Sequence, residues 1–187
     1  DLNANLYLYE KNFEFFADEL GDKAAAKRWA RKAKDRKKLI RKYCRDPRNG
    51  MYYDYDYVNG KRSDVVSAAV FSLLYAGAVP IKDAPGIVRA LDALEFPHGI
   101  AACENKDYPY AYQWSYPNGW APLHFLAIKG LDNYGFREDA RRIASKYAAT
   151  VIRNFQKTRN LWEKYNVVEG NINVSNEYEM PTMVGWT

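Results

Sequence analysis

The sequence predicts an all-α fold made of antiparallel helix pairs, and three observations predict it. Apolar residues recur at helical spacing along several long stretches. Those stretches meet in pairs at short glycine-containing turns, at Gly21 and at Tyr134-Gly135. Between the pairs lie segments without helical period that concentrate Tyr, Trp, Asp and Glu. In such a layout the helical hairpins supply a frame and the loops carry the chemistry.

Residues 2 to 20 predict a helix with Leu6, Tyr9, Phe13 and Phe16 turned inward, ended by Gly21. A second helix is expected over about 22 to 45, stopping before Asp46-Pro47. The stretch GMYYDYDYVNGK, 50 to 61, alternates aromatic and acidic residues and ends in Asn-Gly, which predicts a short strand and a tight turn. Ser63 or Asp64 then caps a helix running to about 77, closed by Pro80, and a further helix covers 84 to 95 with Pro85 near its start. A long loop, 96 to 119, separates these from helices at about 120 to 134 and 137 to 157. Loops of that length inside a compact domain tend to be functional. The tail, 158 to 187, has no helical period, and holds Glu163, Glu169, Glu177 and Glu179 among aromatic residues.

At 187 residues the chain fits one domain or part of one. Its opening, DLNANLYLYEKNFEFF, reads as the middle of a helix, so the expectation is a chain cut from something longer; there is no signal-peptide pattern and no apolar run long enough for a membrane span. The compartment is left open. The formal charge is +5, and residues 23 to 45 hold 12 of the 28 Lys and Arg against one acid, Asp35. Nucleic-acid binding is the sharp interpretation of such a run, but Ala26, Trp29, Ala30, Ala33, Ile40 and Tyr43 give it an apolar stripe, so a solvated helix face is expected and no nucleic-acid partner.

Chemistry is narrowed by what is scarce. Cys44 and Cys103 lie far apart and form no metal-ligand pattern, so neither a metal nor another cofactor is expected; two buried thiols and one disulfide both remain open. His98, in a Pro-Gly loop, and His124, inside a helix, are the only histidines and are expected to be a polar loop residue and a packing residue. No serine has a nearby base or a nucleophile elbow, and no glycine loop suits a phosphate. What remains is carboxylates set among aromatics, where desolvation raises one carboxyl and leaves another ionised, the pairing used in glycoside hydrolysis. The 16% aromatic content, with 16 Tyr, suits that: a sugar's C–H face stacks on a ring while its hydroxyls take hydrogen bonds. Glu163, between Trp162 and Tyr165 just after a helix end, is the first candidate, and Glu177-Tyr178-Glu179 follows it.

QWSYPNGWAP, 113 to 122, concentrates the aromatic signal. Pro117-Asn118-Gly119 suits a turn into the next helix, with Asn-Gly able to take positive φ, which leaves the two tryptophans, Trp114 and Trp120, without a local reason. The longer stretch QWSYPNGWAPLHFLAIKGLDNYG strongly resembles a motif of the α,α-trehalase family of glycoside hydrolases, Q-W-D-x-P-N-[GA]-W-x-P-L-Q and the helix after it. LWEKYNV, 161 to 167, is similar to that family's [LM]-[VM]-E-K-Y-D segment, and NEYEMPTMVGWT, 176 to 187, to its G-G-G-E-Y-x-x-Q-x-G-F-G-W-T-N-G. MYYDYDYVNGKRS resembles its W-x-D-Y-D segment more weakly.

The resemblance implies an (α/α)6 toroid, of the six-hairpin glycosidase kind, and an inverting hydrolysis of trehalose to two glucoses. The whole of 1–187 is then one partial domain, the C-terminal portion of the catalytic domain. By position, Glu163 is the general base that activates water and Glu177 a substrate contact, while Gln113, Trp114 and Trp186 lie near the glucose sites, Trp114 as the stacking platform. The family's acid, an Asp, comes from a segment upstream of Asp1, so the isolated chain is expected to be inactive. Four departures stand out. The motif's Asp is Ser115, its glycine run is INVSN at 172 to 176, the aromatic before Gly-Trp-Thr is Val184, and the Gln three residues after Tyr178 is absent. They motivate two other readings: a trehalase-like protein that binds sugar without hydrolysing it, and a related toroid glucosidase acting on another α-glucoside.

Overall fold

The computed structural model describes residues 1–106, 109–110 and 112–182. Helix α1 (Leu2–Glu19) and helix α2 (Lys23–Cys44) form the first hairpin. Gly21, at φ +78°, closes α1 as its amide donates to the Asp18 carbonyl (3.0 Å) and that of Asp22 to Ala17 (2.9 Å); the Asp22 carboxylate then caps α2 at Ala25 (2.9 Å). One turn thus satisfies both helix ends. α2 buries Ala25, Ala26, Ala33 and Ile40, as its stripe predicts. Its basic residues are largely on the other faces, and three find internal acids: Arg36 forks onto Glu10, and Arg41 and Arg45 reach the buried Asp83.

The expected inward face of α1 is a correction. The residues buried are Ala4, Tyr7 and Glu10, whereas Tyr9, Phe13 and Phe16 are half exposed or more. The seam against α2 admits a small residue, a tyrosine and a glutamate neutralised by Arg36. Phe13 stacks at its margin on Trp29 of α2 at 4.8 Å, and Phe16 meets the neighbouring Phe15, edge to face at 5.7 Å.

Strands β1 (Tyr55–Asp56) and β2 (Lys61–Arg62) make the expected hairpin, with Gly60 at φ +66°. The predicted helix at 63 to 77 is shorter. Ser67, not Ser63 or Asp64, accepts from the Ala69 amide and opens a 3-10 turn, Ala68–Phe71, followed by α3 (Ser72–Tyr75). Ser67 is bridged to Cys103 and the Ala68 amide donates to Ala102, so a distant loop uses backbone groups that a longer helix would need. The 84-to-95 helix is likewise broken into α4 (Ala84–Val88) and α5 (Leu91–Leu94). Then come β3 (Glu95–Phe96), β4 (Gly99–Ile100), β5 (Asn118–Trp120), α6 (Ala121–Asn133), α7 (Arg137–Thr158) and β6 (Lys164–Asn166).

α6 and α7 form the second long hairpin across Tyr134-Gly135, with α3 packed against α6. The core between the pairs holds Phe71, Leu74, Ile87, Leu94, Ile100, Leu131 and Ile143. The strands are short two-stranded ladders at the ends of helices, so the fold remains helical in kind. Among the described residues no helix is long and apolar enough to cross a membrane.

Candidate active site

The ladder of β5 with β6 decides where the sequence motifs meet. Asn118 faces Asn166, Gly119 faces Tyr165 and Trp120 faces Lys164, so the 113–122 motif lies directly against the 161–167 segment. Asn118 and Gly119 are therefore strand residues, and neither takes the positive φ expected of them. Glycine at 119 answers a close approach instead: a Cβ there would lie 2.2 Å from Val167 Cγ1 and 2.9 Å from the Ile100 carbonyl. Asn118, wholly buried, ties in the tail. Its amide donates to the carbonyls of Gln113 (2.9 Å) and Ser175 (2.7 Å), and its oxygen accepts from the Ser175 amide (3.0 Å).

Trp114 and Trp120 stack face to face, centroids 3.9 Å apart and 5° from parallel. Trp120 is buried, its indole N–H donating to the Gln113 carbonyl (3.0 Å), whereas Trp114 is 44% exposed. Of the two rings, Trp120 is the one packed inside and Trp114 the one left partly open to solvent. A rigid ring backed on one face by a second ring and open elsewhere suits the C–H face of a sugar. Gln113 is half-buried, and its side-chain oxygen is buried without a hydrogen-bond partner among the described residues.

Glu163 is buried, its carboxylate held by two side chains. The Tyr178 hydroxyl lies 2.7 Å from Oε1 and 2.8 Å from Oε2, and the Lys164 ammonium donates to Oε2 at 2.9 Å. Lys164 is itself fully buried, 4.9 Å from the centroids of both the Trp120 and the Tyr178 rings. Desolvation and the Glu163 carboxylate push the Tyr178 phenol up to about 12, which keeps it a donor across the neutral range. Glu177 is exposed and close enough to act on that phenol electrostatically. Trp186 lies outside the described residues.

Ser115, where the family motif has Asp, is buried. Its hydroxyl donates to the Tyr112 carbonyl (2.7 Å) and lies 3.3 Å from that of Tyr116, within its own loop. His124 packs as expected, stacked on Tyr147 at 3.7 Å. His98 lies beside Arg153, which together with burial holds its pKa below the ordinary value. Cys44 and Cys103 are free thiols, pushed up by burial, and the Cys103 thiol donates to the Trp114 carbonyl. Among the described residues no three His, Cys, Asp or Glu gather as a metal site.

Two residues were given no role by the sequence although they lie inside the segments it singles out: Lys164, in LWEKYNV, and Tyr178, between Glu177 and Glu179. Neighbours on a strand point to opposite faces, so nothing in the order Glu-Lys signals that the lysine's long stem returns its ammonium to the preceding carboxylate. Tyr178 lies 15 positions from Glu163 and reaches it along a tail tied down by Asn118 at Ser175, by Asn166 at Asn173 and by the Trp162–Thr182 bridge. A large hollow of about 760 Å³, lined by Leu39, Tyr43, Tyr55 and Tyr57 among others, shares no lining residue with this cluster.

Known proteins bear on this arrangement. The family model described as Trehalase matches residues 1–187. A probable trehalase of Eremothecium gossypii is 36% identical over 91% of the chain and 25% of its own length. A periplasmic trehalase of Salmonella choleraesuis is 34% identical over the whole chain and 33% of its own length. The solved structure of neutral trehalase from Saccharomyces cerevisiae superposes with a TM-score of 0.82 at 32% identity, covering 89% of this chain and 34% of that one. A mannosylglycerate hydrolase from Thermus thermophilus shares the fold, with a TM-score of 0.74 at 18% identity, covering 93% of this chain and 43% of its own. The helical frame is thus that of an (α/α)6 toroid fragment, and the chain spans a quarter to a third of the curated relatives it matches. With the match running from the first residue to the last, the chain belongs to the trehalase family.

Proposed function

We propose that 1–187 is the C-terminal portion of a trehalase-like catalytic domain and that the protein carrying it hydrolyses α,α-trehalose with inversion to two glucoses. The observation that supports this is the β5–β6 ladder, which pairs Trp120 with Lys164 and so lays the segment that carries the partly exposed Trp114 against the one that carries the buried Glu163. Glu163 is the general base that takes a proton from water as the water attacks the anomeric carbon; a carboxylic acid from another segment protonates the leaving glucose oxygen, about 6.5–9.5 Å away so that water fits between. Trp114 stacks a glucose ring, and Gln113, Glu177 and Trp186 contact its hydroxyls. The ligand is a disaccharide rather than a nucleic acid. The exposed α1 face supports the partial-domain assignment, because a row of large aromatics of that kind needs covering.

Ser115 does not weigh against catalysis, since its hydroxyl closes its own loop and leaves Glu163 and Trp114 in place. The test is trehalose hydrolysis by the longer protein. Glu163→Gln is expected to cut kcat by roughly 10²–10⁴-fold, the usual worth of a positioned base. Inversion at one of the two α-carbons gives one β- and one α-glucose, seen by NMR before mutarotation. An unchanged rate in the variant sinks the role of Glu163, and two α-glucoses sink inversion. The isolated 187 residues, lacking the acid, are expected to show no turnover.

A further inference from the structure

We infer that Lys164 and Tyr178 are positioning residues that hold the Glu163 carboxylate in the orientation from which it accepts the proton from water. The inference rests on the proposed base role of Glu163. A carboxylate offers about four lone-pair sites, two on each oxygen. The Lys164 ammonium donates to Oε2 (2.9 Å), and the Tyr178 hydroxyl, with one proton to give, lies between Oε1 (2.7 Å) and Oε2 (2.8 Å). Two donors thus hold the carboxylate while lone pairs remain to accept from water.

Neither donor is free to wander. The Lys164 ammonium is sealed from solvent between the rings of Trp120 and Tyr178, at 4.9 Å from each, where cation–π attraction adds to the ion pair with Glu163. Trp120 in turn backs Trp114 at 3.9 Å. The sugar platform, the cation and the base therefore form one packed column: Trp114, Trp120, Lys164, then Glu163 with Tyr178. A ring bound on Trp114 is referenced to the carboxylate through contacts that do not pass through solvent. Misplacement of a reacting group by about 1 Å costs on the order of 100-fold in rate.

The test compares Tyr178→Phe, Lys164→Met and Glu163→Gln in the longer protein, with kcat, KM and melting temperature measured on trehalose. Tyr178→Phe and Lys164→Met are each expected to lower kcat about 10- to 100-fold while KM stays within about twofold, because substrate binding is left alone and only the base is loosened. A merely structural role moves the melting temperature and the fraction of active molecules, counted by titration with a tight inhibitor, but leaves kcat per active site unchanged. Should Lys164→Met fail to fold, Tyr178→Phe, altered at a single half-exposed hydroxyl, decides the matter by the same split. Wild-type kcat in Tyr178→Phe, with Glu163→Gln inactive, overturns the positioning inference alone. A protein that does not turn over trehalose, or a fully active Glu163→Gln, overturns the underlying role of Glu163 and this inference with it.

Discussion

A histidine with both ring nitrogens committed cannot take up a proton without losing a bond, and His124 is in that position. Its Nε2 lies 2.9 Å from the Ile100 amide, which can only donate, so Nε2 accepts and the proton sits on Nδ1, donating to the Trp120 carbonyl at 2.8 Å. Burial pushes its pKa down to about 4. The unfolded chain binds the proton below about 6.5 while the folded protein refuses it until about 4. The neutral ring's contribution is therefore complete above the unfolded value and is lost as pH falls through that window, on the order of 3 kcal/mol in total. Thermal melts of the longer protein between pH 7.5 and 4 should show His124→Gln less stable at neutral pH yet losing less stability on acidification than the wild type. Parallel curves would contradict this. Because His124 grips the residue at which β5 enters α6, this acid sensitivity lies next to the Trp114–Trp120–Lys164 column.

At the scale of elements, the site depends on one short ladder and one cross-tie. Asn118→Ala removes the partner of the Ser175 carbonyl and amide, at about 1–3 kcal/mol for a group left buried and unsatisfied, while the Gln113 carbonyl keeps the Trp120 indole N–H. The variant is expected to be destabilised by roughly that amount or somewhat more. Limited proteolysis should cut between 168 and 182 while the α1–α2 hairpin stays protected; cleavage spread evenly over the chain would contradict a local role for Asn118. The long helices were legible because their signals are local: Asp22 and Gly21 at one hairpin, Gly135 at the other, and alanine-lined stripes between. The 63-to-77 stretch was misjudged because the decisive partners, Ala102 and Cys103, lie some 35 residues away. The same holds for the site. Glu163 and Trp114 stand out as candidates by their sequence context, whereas the Lys164 ammonium meets Glu163 by the path of its own stem and Tyr178 meets it only along the folded tail.

For the whole molecule, the face of α1 that points away from α2 makes the strongest demand. Tyr9 and Phe16 are 56% and 55% exposed and occur at positions i and i+7, one helical face, with Leu20 and Phe15 adding further uncovered apolar surface. Relatives three to four times the length of the chain have ample sequence to cover it. The periodicity was visible in the sequence and predicted an inward face, but amphipathicity gives the direction of an apolar face and not which neighbour it meets. The double variant Tyr9→Gln/Phe16→Gln separates the two cases. In the isolated 187 residues it removes surface already half in water, so the melting temperature should hardly change and self-association at high concentration should fall. In the longer protein the same change removes buried aromatic area, at roughly 1.5–3 kcal/mol for each side chain, and the domain should melt several degrees lower. Equal behaviour in the two contexts would mean that no other segment packs on α1, and the assignment of 1–187 as part of a larger toroid would fail with it.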